Sequence, residues 1–241
     1  MNPTQRNPFE KRKNGLSKTR NRLKSSILLP GIAVGLMWLI TIVQSLAGWD
    51  PGAWGVFPRS VWGLRGILTS PFLHGDFGHL AANTVPFFLL ATAVLYFYRP
   101  IAWKVLPLLY LLPGLWVWIA STRGPHIGAS GVVYGLAFFL FFSGVFRKNL
   151  QSLTIALVVS FFYGGMVWGV LPADPHVSWE GHLFGAIAGV VTAYFLRKQG
   201  ALPEKKYKWQ EQDDDGDTRV PWDYKRLYPP PDPLRYPEDR E

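Results

Sequence analysis

Six long apolar runs divide the chain, and each is close to the length of a membrane-spanning helix. A bilayer core requires ~20 consecutive apolar residues in a helix. The shortest run ends at Arg197 and Lys198, whose side chains can reach the headgroups. The pattern predicts an all-α polytopic membrane protein with six transmembrane helices. The runs cover about 27–48, 80–98, 103–120, 129–146, 151–171 and 182–197.

Polar segments flank this apolar region on both sides. Residues 1–26 form a basic N-terminal segment, and residues 198–241 form a charged, Pro-rich tail. Because the tail has too few apolar residues to form a core, we expect it to be disordered. The predicted organisation is a six-helix membrane domain at 27–197 between two cytoplasmic tails, with an outer loop at 49–78.

The orientation follows from the basic residues, since loops rich in Lys and Arg stay cytoplasmic. With the N-terminus inside, all of the 25 Lys and Arg residues except Arg59, Arg65 and Arg123 fall in cytoplasmic segments. Both termini are therefore predicted to be cytoplasmic, in a multi-pass protein of a prokaryotic cell membrane. The net charge of +9 reflects this topology, so the expected partner is the lipid bilayer and not nucleic acid.

The sequence contains no cysteine. Disulfides and thiolate-bound metal sites are therefore excluded. We expect neither a metal nor a cofactor.

Polar residues occur at matching positions of three predicted spans. In the predicted orientation, His79 and Asn83 lie near the outer end of the second span, Ser130 of the fourth and His182 of the sixth. Any one of them, taken alone, is more simply a polar residue bonded inside the bundle. Four at one depth favour a functional site.

Glycines accompany two of these residues. Stripes of small residues let helix backbones approach closely. Packing along the stripes would bring Ser130 and His182 within hydrogen-bond reach, as a nucleophile and its base require. Helix packing alone would explain the glycines, but not the matching depth of the polar pair. The stripes are Gly131 and Gly135 on one helix, and Gly181, Gly185 and Gly189 on the other.

Three motifs together make the chain resemble the rhomboid intramembrane serine proteases, over about residues 27–197. The motifs are Gly128-Ala129-Ser130-Gly131 followed by Tyr134, His182-Leu183-Phe184-Gly185 with Gly189, and Phe72-Leu73-His74 followed by His79-Leu80-Ala81-Ala82-Asn83. The resemblance implies a rhomboid-like six-helix bundle with a hydrated cavity open to the outer side. It also implies cleavage of transmembrane protein substrates near the outer leaflet.

The resemblance further implies roles for individual residues. Ser130 would be the nucleophile and His182 the general base, with Tyr134 packed against the His182 ring. The backbone N–H of Ser130 and the side chains of His79 and Asn83 would stabilise the oxyanion. The motif glycines expected to support the site are Gly128, Gly131, Gly185 and Gly189.

Elementary chemistry agrees with these roles. Ser130 begins a predicted helix, where free N–H groups and the dipole favour an anion. His79 and Asn83 are four residues apart and share one helix face. Glu180 is only two residues before His182 and should face away from it, so we expect a dyad without a carboxylate. His176 is expected to be a solvated loop residue.

The outer loop carries several aromatic residues, which prefer the headgroup level. In this loop the family's usual Trp-Arg pair falls on Arg65-Gly66, so Trp62 and Arg65 are separated in the sequence. The segment 121–127 is expected to form a loop that dips into the membrane domain before the fourth span, since irregular backbone is tolerated where it lines a cavity.

Three other classes of protein fit the sequence less well than a protease. A catalytically inactive rhomboid-like chaperone would be expected to lack the serine or the histidine, and this chain has both. A nucleophile elbow requires Gly-x-Ser-x-Gly, whereas Val132 follows Gly131. A six-span transporter would be expected to show ionisable residues near the midplane and related halves, and the sequence shows neither.

Overall fold

The computed structural model describes residues 8–122, 124–172 and 178–200. Over these residues the chain is almost entirely helical, and an isolated antiparallel bridge pairs Val56 with His126. Short 3-10 helices lie at Pro51–Trp54, Trp62–Arg65, Ser70–Phe72 and Gly164–Val170. The α-helices are α1 (Pro8–Ala47), α2 (Gly66–Thr69), α3 (Phe77–Phe97), α4 (Arg99–Ala120), α5 (Ser130–Arg147), α6 (Leu150–Tyr163) and α7 (Trp179–Phe195).

The fifth predicted apolar run covers α6 and the 3-10 helix that follows it, and each of the other runs overlaps one long helix. Among the described residues, five helical segments are long and apolar enough to cross a membrane, which confirms a multi-pass, all-α membrane protein. They are Gly15–Ala47, Phe77–Phe97, Arg99–Ala120, Ser130–Arg147 and Leu150–Val170. With its 17 residues, α7 is shorter, so the sixth span stays a prediction.

The structure describes most of the N-terminal polar segment but only the first residues of the tail. Helix α1 begins at Pro8, well before the predicted span, because the charged residues of this segment are themselves good helix formers. Residues 201–241 of the tail lie outside the described ranges, so its disorder stays a prediction. His176 also lies outside these ranges.

Polar side chains cap α3 and α6 at their starts. The Asp76 carboxylate accepts the His79 N–H at 2.8 Å before α3, and the Asn149 amide oxygen accepts the Ser152 N–H at 2.8 Å before α6. Such caps satisfy N–H groups that lack a partner within the helix. The Asp76 cap fixes where α3 begins, and therefore where His79 and Asn83 stand.

Helix α5 lies at the centre of the bundle. Leu136, Phe139 and Leu140 on α5 are fully buried, together with Leu109 of α4. By contrast, Phe161 and Phe162 on α6 are mostly exposed. Large apolar side chains on an outer helix face are typical of contact with lipid.

Helices α5 and α7 pack through their glycines, as the spacing predicts. A Cβ atom on Gly185 would lie 2.1 Å from the Gly131 carbonyl oxygen, and one on Gly189 would lie 2.5 Å from the Gly135 carbonyl oxygen. Neither position has room for a side chain. The two backbones therefore touch, which brings the starts of α5 and α7 side by side.

The outer loop is organised around Arg65. Its guanidinium lies 4.3 Å from the ring centre of Trp54 and 5.6 Å from that of Trp62. The separation of Trp62 and Arg65 in the sequence therefore does not keep them apart in space. Trp62 remains largely exposed, as expected of a loop at the headgroup level.

Candidate active site

The predicted site residues line one cavity of about 600 Å³. It opens between the starts of α3, α5 and α7 and the end of α6. The structure thus brings together all five side chains that the sequence singled out for one site. They are His79, Asn83, Ser130, Tyr134 and His182.

A tight loop leads into Ser130, the first residue of α5. Gly128 has a φ of +104°, and a Cβ atom there would lie 2.7 Å from both Cε1 and Nε2 of His79. Only glycine fits this left-handed backbone beneath the imidazole ring. The Gly128 N–H donates to the Ser70 carbonyl at 2.9 Å, so the turn is held from both sides.

His74 supports this loop from beneath. Its imidazole is fully buried, and its Nε2 accepts the Ala129 N–H at 3.4 Å. Burial, assisted by the neighbouring His79, lowers the pKa of His74 to about 4. The ring is therefore neutral at pH 7, as an acceptor for a backbone N–H must be.

His182 is fixed by two contacts. Its ring stacks on Tyr134 with centroids 4.2 Å apart and planes 8° apart. Its Nδ1 lies 2.9 Å from the Gly169 carbonyl oxygen. Because a carbonyl only accepts, Nδ1 carries a proton, and in the neutral ring the lone pair is on Nε2. This is the tautomer that a general base needs.

Sequence reasoning missed Gly169. It lies in the 3-10 helix that continues α6, where a Cβ atom would be 1.9 Å from the Tyr134 hydroxyl oxygen and 3.4 Å from Nδ1 of His182. The only trace in the sequence is the cluster Gly164, Gly165 and Gly169 near the end of the fifth apolar run. A carbonyl that orients an imidazole has no side-chain signature of its own.

Asn83 bonds within its own helix. Its Nδ2 donates to the His79 carbonyl at 3.0 Å, and the side chain is buried. An amide carries two N–H donors, so this bond leaves the second donor for a group in the cavity. His79 lies on the same wall of the cavity, one turn earlier.

Glu180 turns away from His182, as predicted. Its carboxylate accepts the Ser121 hydroxyl proton and, at 3.3 Å, the Thr122 N–H. The oriented nitrogen of His182 faces a carbonyl where serine hydrolases with a triad place a carboxylate. Within the described ranges, no group of three or more His, Asp or Glu residues could hold a metal ion.

Comparison with known proteins identifies the family. The Rhomboid domain matches residues 58–199. An uncharacterized protein of Mycobacterium tuberculosis is 38% identical over an alignment of 186 residues, and the alignment covers 72% of this chain and 74% of that protein. An uncharacterized protein of Mycobacterium leprae is 35% identical over 186 residues, and that alignment covers 72% of this chain and 70% of the relative. The chain belongs to the rhomboid family, a family of intramembrane proteases.

Proposed function

We propose that this protein is an active serine endopeptidase, which cleaves transmembrane segments of membrane proteins near the outer leaflet through a Ser130–His182 dyad. The observation that carries the proposal is the Nδ1 contact of His182 with the Gly169 carbonyl at 2.9 Å. It presents an unprotonated Nε2 in a cavity that Ser130 also lines. Membership of the rhomboid family supports the reaction class.

The reaction proceeds in two halves. The Ser130 hydroxyl oxygen attacks the substrate carbonyl carbon while Nε2 of His182 takes its proton. The tetrahedral intermediate collapses, and Nε2–H gives that proton to the leaving amine, so that an ester forms on Ser130. A water molecule, deprotonated by Nε2 of His182, then attacks the ester carbonyl carbon. The second intermediate collapses, and Nε2–H returns the proton to the Ser130 oxygen as the acyl group leaves as a carboxylic acid.

Charge on the carbonyl oxygen is stabilised by fixed donors. The Ser130 N–H is one of the free donors in the first turn of α5, and the Asn83 amide and the His79 ring line the same cavity. A donor of this kind contributes about 3–4 kcal/mol to the transition state.

The charge on His182 is stabilised without a carboxylate. As the ring becomes an imidazolium, its Nδ1–H remains bonded to the Gly169 carbonyl. The Tyr134 face, stacked on the ring, attracts the cation through its π-electrons.

The proposed topology places this chemistry near the outer surface. Both termini are cytoplasmic, α7 is the sixth span, and α3, α5 and α7 run inward from the cavity, in a prokaryotic cell membrane. A substrate helix hides its amides in hydrogen bonds, so it unwinds locally before cleavage. Helix-weakening residues near the scissile bond are therefore expected.

A fluorophosphonate probe tests the proposal directly. The native chain should be labelled, while Ser130→Ala and His182→Ala should not, with thermal stability retained. Ser143→Ala is the matched control, because Ser143 is a buried serine towards the other end of α5. A folded native protein that is neither labelled nor able to cleave a transmembrane substrate in lipid would refute the protease and favour an inactive member that binds membrane proteins.

A further inference from the structure

A second polar cluster is buried beside the cavity. It joins the end of α4, the loop before α5 and the start of α7, and its members are Ser121, His126, Ser178 and Glu180. Ser121 is fully buried, and His126 and Glu180 are each 8% exposed. A carboxylate at such a position requires hydrogen-bond partners, which the Ser121 hydroxyl and the Thr122 N–H supply.

The hydrogen bonds of the cluster converge on Glu180. The Ser121 hydroxyl donates to the carboxylate, so its oxygen accepts the Nε2–H of His126, 2.8 Å away. The same Nε2 lies 3.7 Å from a carboxylate oxygen of Glu180. Nδ1 of His126 lies 2.5 Å from the Ser178 hydroxyl oxygen, so the four side chains form one hydrogen-bonded network.

This hydrogen-bonded network is not a second catalytic triad. In a triad the histidine accepts the serine proton and the carboxylate accepts from the histidine. Here the serine donates to the carboxylate. Ser121 is also fully buried, so no substrate can reach its oxygen.

Members of the cluster hold segments on either side of the proposed dyad. Glu180 lies in the first turn of α7, and the Ser178 carbonyl accepts the His182 N–H at 3.2 Å. His126 stands four residues before Ser130, and its N–H and carbonyl both bond to Val56, at 3.0 and 2.9 Å. The cluster therefore links the segment that carries the base to the segment that carries the nucleophile.

The cluster adds a constraint at the starts of the two helices. The glycine contacts set the separation of α5 and α7, and the stack of Tyr134 on His182 also joins them. The hydrogen bonds of Glu180 tie the first turn of α7 to the two residues that follow α4. A shift of α7 along its axis would break these bonds and change the distance between Nε2 of His182 and the Ser130 hydroxyl.

We propose that Glu180 is a positioning residue for the Ser130–His182 pair, acting through Ser121 and His126. The inference rests on the proposed protease function. Glu180 holds the start of α7 against the loop that leads to α5, and this aligns base and nucleophile. A misplacement of about 1 Å at a reacting pair lowers the rate on the order of 100-fold.

The test compares full-length variants reconstituted in lipid. Glu180→Ala removes the carboxylate, and Glu180→Gln keeps one acceptor oxygen. Ser121→Ala removes the hydroxyl that links His126 to Glu180. Thr192→Val is the matched control, since Thr192 is a buried polar residue towards the other end of α7. Fluorophosphonate labelling rates, and kcat for a transmembrane substrate of the native chain, are expressed per folded molecule. KM is measured with the same substrate.

If Glu180 positions the pair, its replacement should lower kcat and leave KM unchanged. Glu180→Ala should reduce the labelling rate and kcat about 100-fold, with KM within about twofold of native. Glu180→Gln should recover about a tenth of native kcat or more, since Ser121 can still donate to its amide oxygen. Glu180→Ala/Ser121→Ala should be no slower than the slower single variant, because both changes break one network. Thr192→Val should match native.

Two results would overturn the inference. One is native labelling rates per folded molecule with only a lower Tm, which would make the cluster purely structural. The other is a raised KM with unchanged kcat. If Glu180→Ala does not fold, the same criteria apply to Ser121→Ala and Glu180→Gln. Absence of Ser130-dependent labelling in the native chain would instead refute the proposed function itself.

Discussion

The ring of His182 lies flat against the ring of Tyr134, with centroids 4.2 Å apart and planes only 8° from parallel. Tyr134 is on the second turn of α5, below Ser130, so one helix supplies both the proposed nucleophile and the surface on which its base rests. The stack explains how an imidazole can be oriented without a carboxylate partner.

Replacing Tyr134 should separate stacking from hydrogen bonding. Tyr134→Phe keeps the aromatic face and should retain kcat within about threefold of native. Tyr134→Ala should lower kcat about tenfold, as expected for the loss of a cation–π contact of about 1–2 kcal/mol. Cleavage kinetics of a transmembrane substrate in lipid measure both values. Equal loss in the two variants would contradict a role for the stack.

A methyl group at Gly169 should disturb the orientation of the His182 ring. The Cβ atom would lie 1.9 Å from the Tyr134 hydroxyl oxygen, so Gly169→Ala should displace Tyr134 or the carbonyl that orients His182, and fluorophosphonate labelling should fall at least tenfold. Adding Tyr134→Phe removes the nearest atom and should restore part of the rate.

The control for this prediction lies in the same 3-10 helix. A Cβ atom on Gly165 would meet nothing within 4 Å, so Gly165→Ala should label at the native rate. If Gly169→Ala also labels normally, the Gly169 carbonyl is dispensable for the base.

The glycine contact between α5 and α7 should be sensitive to added side-chain volume. Gly185→Ala places a Cβ atom 2.1 Å from the Gly131 carbonyl oxygen and should destabilise the fold by about 1–3 kcal/mol, as overpacking does. Gly35→Ala on α1 meets nothing within 4 Å and should be neutral or stabilising by up to ~1 kcal/mol. Thermal unfolding in detergent compares them, and similar Tm values would argue against tight packing.

Stability should fall in acid because of His74. Its pKa is about 4 in the folded protein and 6.5 as a free side chain, so the unfolded chain binds the extra proton between these values. The contribution of His74 to the free energy of unfolding is fully present above pH 6.5 and declines as the pH falls to 4. The total loss is about 3 kcal/mol. Below pH 4 its contribution changes no further.

The contribution of His74 can be isolated by difference. His74→Gln keeps an acceptor for the Ala129 N–H but does not titrate, so its unfolding free energy should depend less steeply on pH between 4 and 6.5. Identical slopes for native and variant would show that His74 does not carry this dependence.

The sequence predicts what depends on side-chain type and spacing. Apolar runs located the long helices, and glycines four residues apart correctly paired α5 with α7. It could not predict the contact of His182 with Gly169, since a backbone carbonyl from another helix carries no side-chain signature. The partners of Glu180 were missed for a similar reason, because Ser121 and His126 lie in an irregular loop whose path has no periodicity.

The backbone contact between α5 and α7 separates two tasks of the cavity. Ser130 and His182 are carried by that contact, whereas the facing walls include Ala82 and Pro86 of α3 and Tyr163 and Met166 from the end of α6 and the following 3-10 helix. Substitutions of these four side chains leave the glycine contacts of α5 and α7 intact. In the proposed protease, substrate preference can therefore diverge among relatives, or be redesigned, without a change in the backbone contact that brings Ser130 and His182 together.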